Sequence, residues 1–256
     1  MLKSMWKLND KKALITGGSK GIGKATVIEF LKLGAEVLFT ARNEKDIKLL
    51  ETELKEEGHQ VTGLVADSAK PEDIKKIKNW IAERWNSLDI LVNNAGINIR
   101  KQAIDYSEEE FRKVLEINLV APFEISRALY PFLKKSGKAS IINIASSAAI
   151  QDVGTGTPYA MSKSGLLQQS RSLAVEWAED QIRVNSVSPW FTKTPLTEGY
   201  LHNEKKMDSI LSRTPLKRVA EAEEISSIIS FLAMDKSSFV TGQNIVADGG
   251  MSITAL

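Results

Sequence analysis

Cysteine is absent from this chain of 256 residues. That excludes disulfides, thiolate nucleophiles and cysteine-ligated metals. Histidine occurs only at His59 and His202, too few for a histidine-based metal site without carboxylates, so no metal is expected. No apolar run approaches the ~20 residues that span a bilayer as a helix, so no membrane partner is expected. The N-terminal stretch "MLKSMWKLNDKK" lacks the apolar core of a signal peptide. The expectation is a soluble cytoplasmic protein. An excess of charge is missing too: 34 basic residues against 32 acidic leave +2. Without a basic excess no nucleic-acid partner is expected, and the mild basicity reads as a solvated surface.

What is present is alternation. Seven short β-branched-rich runs read as strands: 12–16, 35–40, 61–66, 88–93, 139–145, 182–188 and 243–247. Between them lie helical patterns at about 20–33, 44–57, 71–86, 107–135, 158–179 and 221–234. Near-continuous apolar strands alternating with helices imply α/β architecture, a doubly wound parallel sheet covered on both faces. One domain over 1–256 is the simplest organisation. The segment at about 190–220 breaks the alternation with a long, charged, partly helical insert. Such insertions serve as lids or binding loops more often than as plain excursions. Its Leu196, Tyr200, Leu201, Met207, Ile210 and Leu211 have the spacing of an amphipathic helix, which suits either a core face or an apolar substrate cover.

The stretch "TGGSKGIG" follows the first strand and opens the first helix. Gly17, Gly21 and Gly23 would let the backbone turn sharply and approach a pyrophosphate at the helix N-terminus, with Ser19 and Ile22 alongside. The second strand ends "FTARNEKD", with no acid at its tip. An acid there would accept from the ribose hydroxyl of NAD and repel the extra phosphate of NADP. Arg42, with Lys20 from the glycine loop, would instead converge on that phosphate, so NADPH is expected over NAD. In "TPYAMSK", Tyr159 and Lys163 stand four residues apart, one helical turn on one face. Taken alone, these are a packing tyrosine and a solvated lysine.

Several motifs occur in order: "TGGSKGIG", "NNAG" (93–96), "INL" around Asn118, "INIASS" (142–147), Tyr159-x-x-x-Lys163, "RVNSVSP" (183–189) and "TGQNIVADGG". Jointly they resemble the short-chain dehydrogenase/reductase family over nearly the whole chain, and "TARNEKD" with "SRSLAVEWAEDQIRVNSVSPW" is most similar to its tropinone-reductase-like members. The resemblance implies a Rossmann fold and reversible reduction of a small-molecule ketone to an alcohol. It also implies assembly as a homotetramer or a dimer through 107–135 and 158–179. It marks Ser146, Tyr159, Lys163 and Asn118 as catalytic, with Tyr159 the acid/base and Lys163 the charge that lowers its pKa. It places Asn94, Ala95 and Gly96 beside the adenosine ribose, Asp67 on the adenine amino group, and Thr194, with Pro189 and Thr192, at the nicotinamide.

Other readings stand beside these. Asn118 could cap a helix, Ser147 competes with Ser146, and Thr194 before Pro195 could simply open a turn. Trp190 stands where the family usually has glycine, so it either walls the pocket or only packs. The pocket is expected to include Ile97, Asn98, Ala148, Ile150 and Val153, and the insert's residues suggest a mostly apolar ketone. A 3-oxoacyl-carrier-protein reductase remains open through Lys134, Lys135 and Lys138. So do a sugar or polyol dehydrogenase and a non-catalytic dinucleotide sensor.

Overall fold

The computed structural model describes residues 6–254. Its strands are β1 (Lys12–Thr16), β2 (Glu36–Ala41), β3 (Val61–Val65), β4 (Ile90–Asn93), β5 (Ala139–Ile144), β6 (Ile182–Pro189) and β7 (Asn244–Ala247). All pair in parallel, in the order β3-β2-β1-β4-β5-β6-β7. The helices are α1 (Gly21–Lys32), α2 (Glu44–Glu56), α3 (Pro71–Arg84), α4 (Glu108–Leu115), α5 (Ala121–Ser136), α6 (Thr157–Glu176), α7 (Pro195–Leu201), α8 (Glu204–Arg213) and α9 (Ala222–Ala233).

The strands alternate between two cores because successive side chains point to opposite faces. Ala13, Ile15, Val37, Phe39, Ile90 and Val92 pack with α1, α2 and α9. Leu14, Leu38, Leu91, Ile141 and Val184 pack with α3, α5 and α6 on the other side. Burial on both faces is why the strands read as nearly unbroken apolar runs. Strand order reverses between β1 and β4, and the crevice beyond their C-terminal ends is where this architecture binds ligands.

One polar row crosses the central strands. Asn93, Asn143 and Ser186 stand in register across β4, β5 and β6. Asn93 Nδ2 donates to Asn143 Oδ1 at 2.8 Å and to Ser126 Oγ of α5 at 3.2 Å. Asn143 Nδ2 and Ser186 Oγ both donate to Ser170 Oγ of α6, at 2.8 and 2.7 Å. These buried bonds fix α5 and α6 against the sheet edge where the crevice opens.

Two differences from the sequence expectation concern the site. The pattern at 107–135 is not one regular helix: Glu116–Val120 forms a π-helical turn between α4 and α5. Pro122, near the start of α5, has no N–H to give the Asn118 carbonyl four residues back, so the regular ladder cannot run through. The insert forms two short helices, α7 and α8, broken at His202 and Asn203, where the Asn203 side chain caps α8. Of its six apolar residues only Ile210 is buried.

Asn143→Leu will take one buried hydrogen bond each from Asn93 and Ser170, which keep only Ser126, and Ser186 with the Leu166 carbonyl, respectively. It is expected to cost about 2–3 kcal/mol, or roughly 5–10 °C in a thermal melt, read by circular dichroism. An unchanged melt would mean that the network contributes nothing net.

Candidate active site

The glycine turn closes onto the end of β4. Gly17 has φ +67°, a left-handed conformation, and a methyl there would lie 3.0 Å from Ala95 Cα. A methyl on Gly23 would sit 2.2 Å from the Gly17 carbonyl and 2.5 Å from Asn94 Nδ2. Asn94 binds the turn directly, its Nδ2 donating to the Thr16 carbonyl at 2.9 Å and the Gly17 carbonyl at 3.1 Å. The backbone N–H groups of Asn94 and Ala95 both donate to Thr16 Oγ1, at 3.0 and 3.1 Å. The helix α1 then starts with no side-chain cap and no acid in its first turn. Its first N–H groups are donors without partners, which fits a dinucleotide pyrophosphate.

One cavity runs from this turn across the sheet edge. Its wall includes Gly17, Lys20, Gly21, Ile22, Asn94, Ala95 and Gly96 at one end, then Ser146, Tyr159 and Lys163. Pro189, Trp190, Thr192 and Thr194 complete the side formed by β6 and the insert, and Val153 and Asn98 lie on the wall too. Tyr159 and Lys163 are one turn apart on α6, and the Lys163 ammonium stands 5.8 Å from the centre of the Tyr159 ring. Lys163 is 4% exposed and donates to the Ile144 carbonyl at 2.7 Å. Burial brings its pKa down to about 8. Asn118, fully buried on the π turn, accepts from Ile97 N–H and donates to the Ile97 carbonyl, both at 2.9 Å. A methyl on Gly96 would lie 3.2 Å from Asn118 Oδ1 and 3.6 Å from Lys163 Nζ, so this glycine keeps space open beside both.

The two serines separate cleanly. Ser147 is buried and donates to the Pro189 carbonyl at 3.1 Å, holding β6. Ser146 faces the cavity, and its Oγ also accepts from Ala148 N–H at 3.2 Å.

A family model described as enoyl-(acyl carrier protein) reductase matches residues 17–252. A tropinone reductase homolog of Arabidopsis thaliana is 41% identical over 97% of this chain and 94% of its own. The solved structure of a gluconate 5-dehydrogenase from Burkholderia cenocepacia, in complex with NADP and tartrate, is 28% identical. It superposes with a TM-score of 0.94 over 98% of each chain. A putative gluconate dehydrogenase from Agrobacterium tumefaciens superposes at 0.95 over 98% of this chain and 99% of its own, with 29% identity. The chain belongs to the short-chain dehydrogenase/reductase family. It is a tropinone-reductase-like member.

Several expected contacts of this dehydrogenase/reductase fall outside the cavity wall. Ser19 and Gly23 stand behind the turn, and Ala148 is buried within the short helical turn after Ser146. Ile150 is exposed, away from the wall. Asp67 caps its own turn, accepting from Ala69 N–H at 3.1 Å. Arg42 is exposed beyond β2. Lys20 does not turn toward it but pairs at 2.7 Å with Asp46, an acid that α2 brings to the strand tip. Of the insert's apolar set only Leu196 reaches the wall. Trp190 both walls and packs: its indole N–H donates to Thr214 Oγ1 at 3.1 Å.

A second correction concerns the tyrosine. Burial pushes the Tyr159 hydroxyl above its ordinary value, against a Ser146 hydrogen bond and then the Arg100 charge, which favour the phenolate. Lys163 does not lower it here: its own burial brings it to about 8, so it is neutral before the tyrosine titrates. Arg100, Thr155 and Phe191 also line the cavity and carry no motif. The only sequence signal for Arg100 was a cation closing the loop "NNAGINIR".

Unfolded lysine titrates near 10.5 and folded Lys163 near 8, so between these the unfolded chain holds a proton the folded chain has lost. Stability therefore rises with pH through that window, and below about 8 the folded state carries the whole penalty, about 3 kcal/mol. Lys163→Met removes the penalty and leaves the Ile144 carbonyl without its donor, about 1 kcal/mol. Urea melts should show the variant ~2 kcal/mol more stable at neutral pH, the gap closing by about pH 10. A less stable variant, or a gap that ignores pH, would refute the buried ammonium.

Proposed function

We propose that this protein is an NADPH-dependent carbonyl reductase. The observation that carries the proposal is the placement of Ser146, Tyr159 and Lys163 on one wall, continuous with the glycine turn. When bound, the nicotinamide supplies the hydride; the chain's own residues supply the proton and the geometry. A phenol held protonated by burial is the form that donates to a developing alkoxide, so Tyr159 is the general acid. Ser146 hydrogen-bonds the same substrate oxygen and fixes its direction. Lys163 holds the wall one turn below, and the Arg100 charge favours the phenolate that remains. Asn118 and Lys163 flank the space that Gly96 keeps open, the route by which the proton would be returned from solvent.

The nucleotide preference rests on Arg42 and Lys20. No acid follows Thr40 directly, and the exposed Lys20–Asp46 pair is weak enough to yield to a phosphate. NADP in the Burkholderia structure supports the same choice. Docking of an acyl carrier is disfavoured by topology. Lys134, Lys135 and Lys138 precede β5, hence lie at the N-terminal sheet edge, opposite the cavity, and Lys134 is paired with Asp180 at 2.8 Å. The proposal includes one domain with α7 and α8 as its cover. It also includes a homotetramer, supported by exposed Val120, Phe123 and Met161 along the π turn, α5 and α6.

Tyr159→Phe is expected to lower kcat by about 10³-fold with nucleotide affinity retained, in an assay of NADPH absorbance over a panel of ketones. Tight NADPH binding with no turnover on any ketone would instead favour a sensor. Arg42→Ala should raise KM for NADPH about tenfold and leave NADH nearly unchanged. Equal changes with both nucleotides would remove Arg42 from the phosphate.

A further inference from the structure

Among the described residues, the cavity wall holds three cations, Lys20, Arg100 and Lys163, and no aspartate or glutamate. Two of the three are engaged: Lys163 on the Ile144 carbonyl, and Lys20 on Asp46 at the glycine-turn end. Arg100 stands on the wall with Asn98, Val153 and Thr155, away from that turn. Among the described residues no carboxylate lies within ion-pair distance of it. Its neighbour in sequence shows the contrast: Lys101 pairs with Glu110 at 2.6 Å.

Arg100 is also held in place. The Tyr106 hydroxyl donates to the Ile99 carbonyl and accepts from Lys101 N–H at 3.3 Å, clamping the backbone on both sides of Arg100. Its guanidinium lies 5.3 Å from the centre of the Tyr200 ring, a cation–π contact that leaves its N–H groups free for a planar anion. Next to it, Asn98 Nδ2 donates to Thr155 Oγ1 at 2.5 Å while Asn98 Oδ1 is buried with no donor of its own. A buried acceptor left bare costs free energy unless a ligand supplies a donor.

We propose that the substrate is a carbonyl compound bearing a carboxylate, which Arg100 recognises, with a hydroxyl of the same molecule donating to Asn98. This rests on the carbonyl-reductase reading and replaces the apolar ketone suggested by the insert. It also sets the protein apart from an enzyme for an aminoketone such as tropinone. A protonated amine would meet a cationic wall with no acid to pair it.

The test uses three ring ketones of similar size: 4-oxocyclohexanecarboxylate, its methyl ester and N-methyl-4-piperidone, which is protonated at neutral pH. With NADPH at low salt, kcat/KM should favour the carboxylate over the ester by about tenfold, with the piperidone last. The advantage should shrink as salt is added, since Arg100 is exposed. Arg100→Gln should bring the ratio to about one, mainly through KM. Lys101→Gln, which alters a cation outside the cavity, should keep it. An ester turned over as well as the acid, or a ratio that survives in Arg100→Gln, would overturn the inference while leaving the reductase reading intact. If none of the three is reduced with NADPH or NADH, the reductase reading fails for them, and calorimetry decides the charge question separately. Tighter binding of the carboxylate than of the ester, lost in Arg100→Gln, would uphold it; equal binding would overturn it.

Discussion

A buried ammonium with no carboxylate partner is the constraint around which this site is arranged. Lys163 has one short bond to the Ile144 carbonyl and otherwise sits in an environment that brings its pKa down to about 8. A cation there is costly to bury, and the surroundings tolerate it only because each neighbour gives way. β5 ends at Ile144 so that its carbonyl is free to accept. Gly96 contributes no side chain beside the ammonium. The π turn swings Asn118 inward, where it fastens the loop after β4 through both polar groups of Ile97. The polar register of Asn93, Asn143 and Ser186 lies just behind and holds α6 at the depth that this arrangement needs.

The strands and most helices were legible because burial on two faces writes itself into composition. A run such as "KALIT" has no polar face to alternate with, and its β-branched residues and flanking turns mark its ends. The motif residues were legible because they recur in a fixed order, and the cavity does gather Gly17, Asn94, Ser146, Tyr159 and Lys163. Three kinds of feature were not. The π turn depends on a missing N–H at Pro122, which periodicity over 107–135 does not register. The Lys20–Asp46 pair depends on the first turn of α2, so reading only the strand tip missed the acid. Arg100 carries no spacing signal, because a loop residue's neighbours are set by tertiary folding. Its clamp comes from Tyr106, and its aromatic platform from Tyr200, a hundred residues away.

The electrostatics of free Tyr159 and the family expectation differ in sign. Lowering the tyrosine needs a positive charge that persists where the phenol titrates, but burial brings Lys163 to about 8. Burial therefore dominates and keeps the proton on. A protonated phenol is the competent form for reduction and the wrong form for abstracting a proton from an alcohol.

Trp190, the departure from the family's usual glycine, makes sense as the first member of an aromatic column. Its backbone N–H extends the sheet by bonding the Ala247 carbonyl at 3.0 Å, and its indole reaches Thr214, the residue that closes α8. Its ring meets Phe191 edge-on at 4.8 Å, and Phe191 stacks on Tyr200 of α7 at 5.3 Å. Arg100 lies over the outer end of that column. A glycine at 190 would leave Phe191 without its edge contact and α8 without its tether, and the platform under Arg100 would lose its footing. The tryptophan thus fixes where the insert sits, and so where the unpaired cation stands relative to Ser146 and Tyr159.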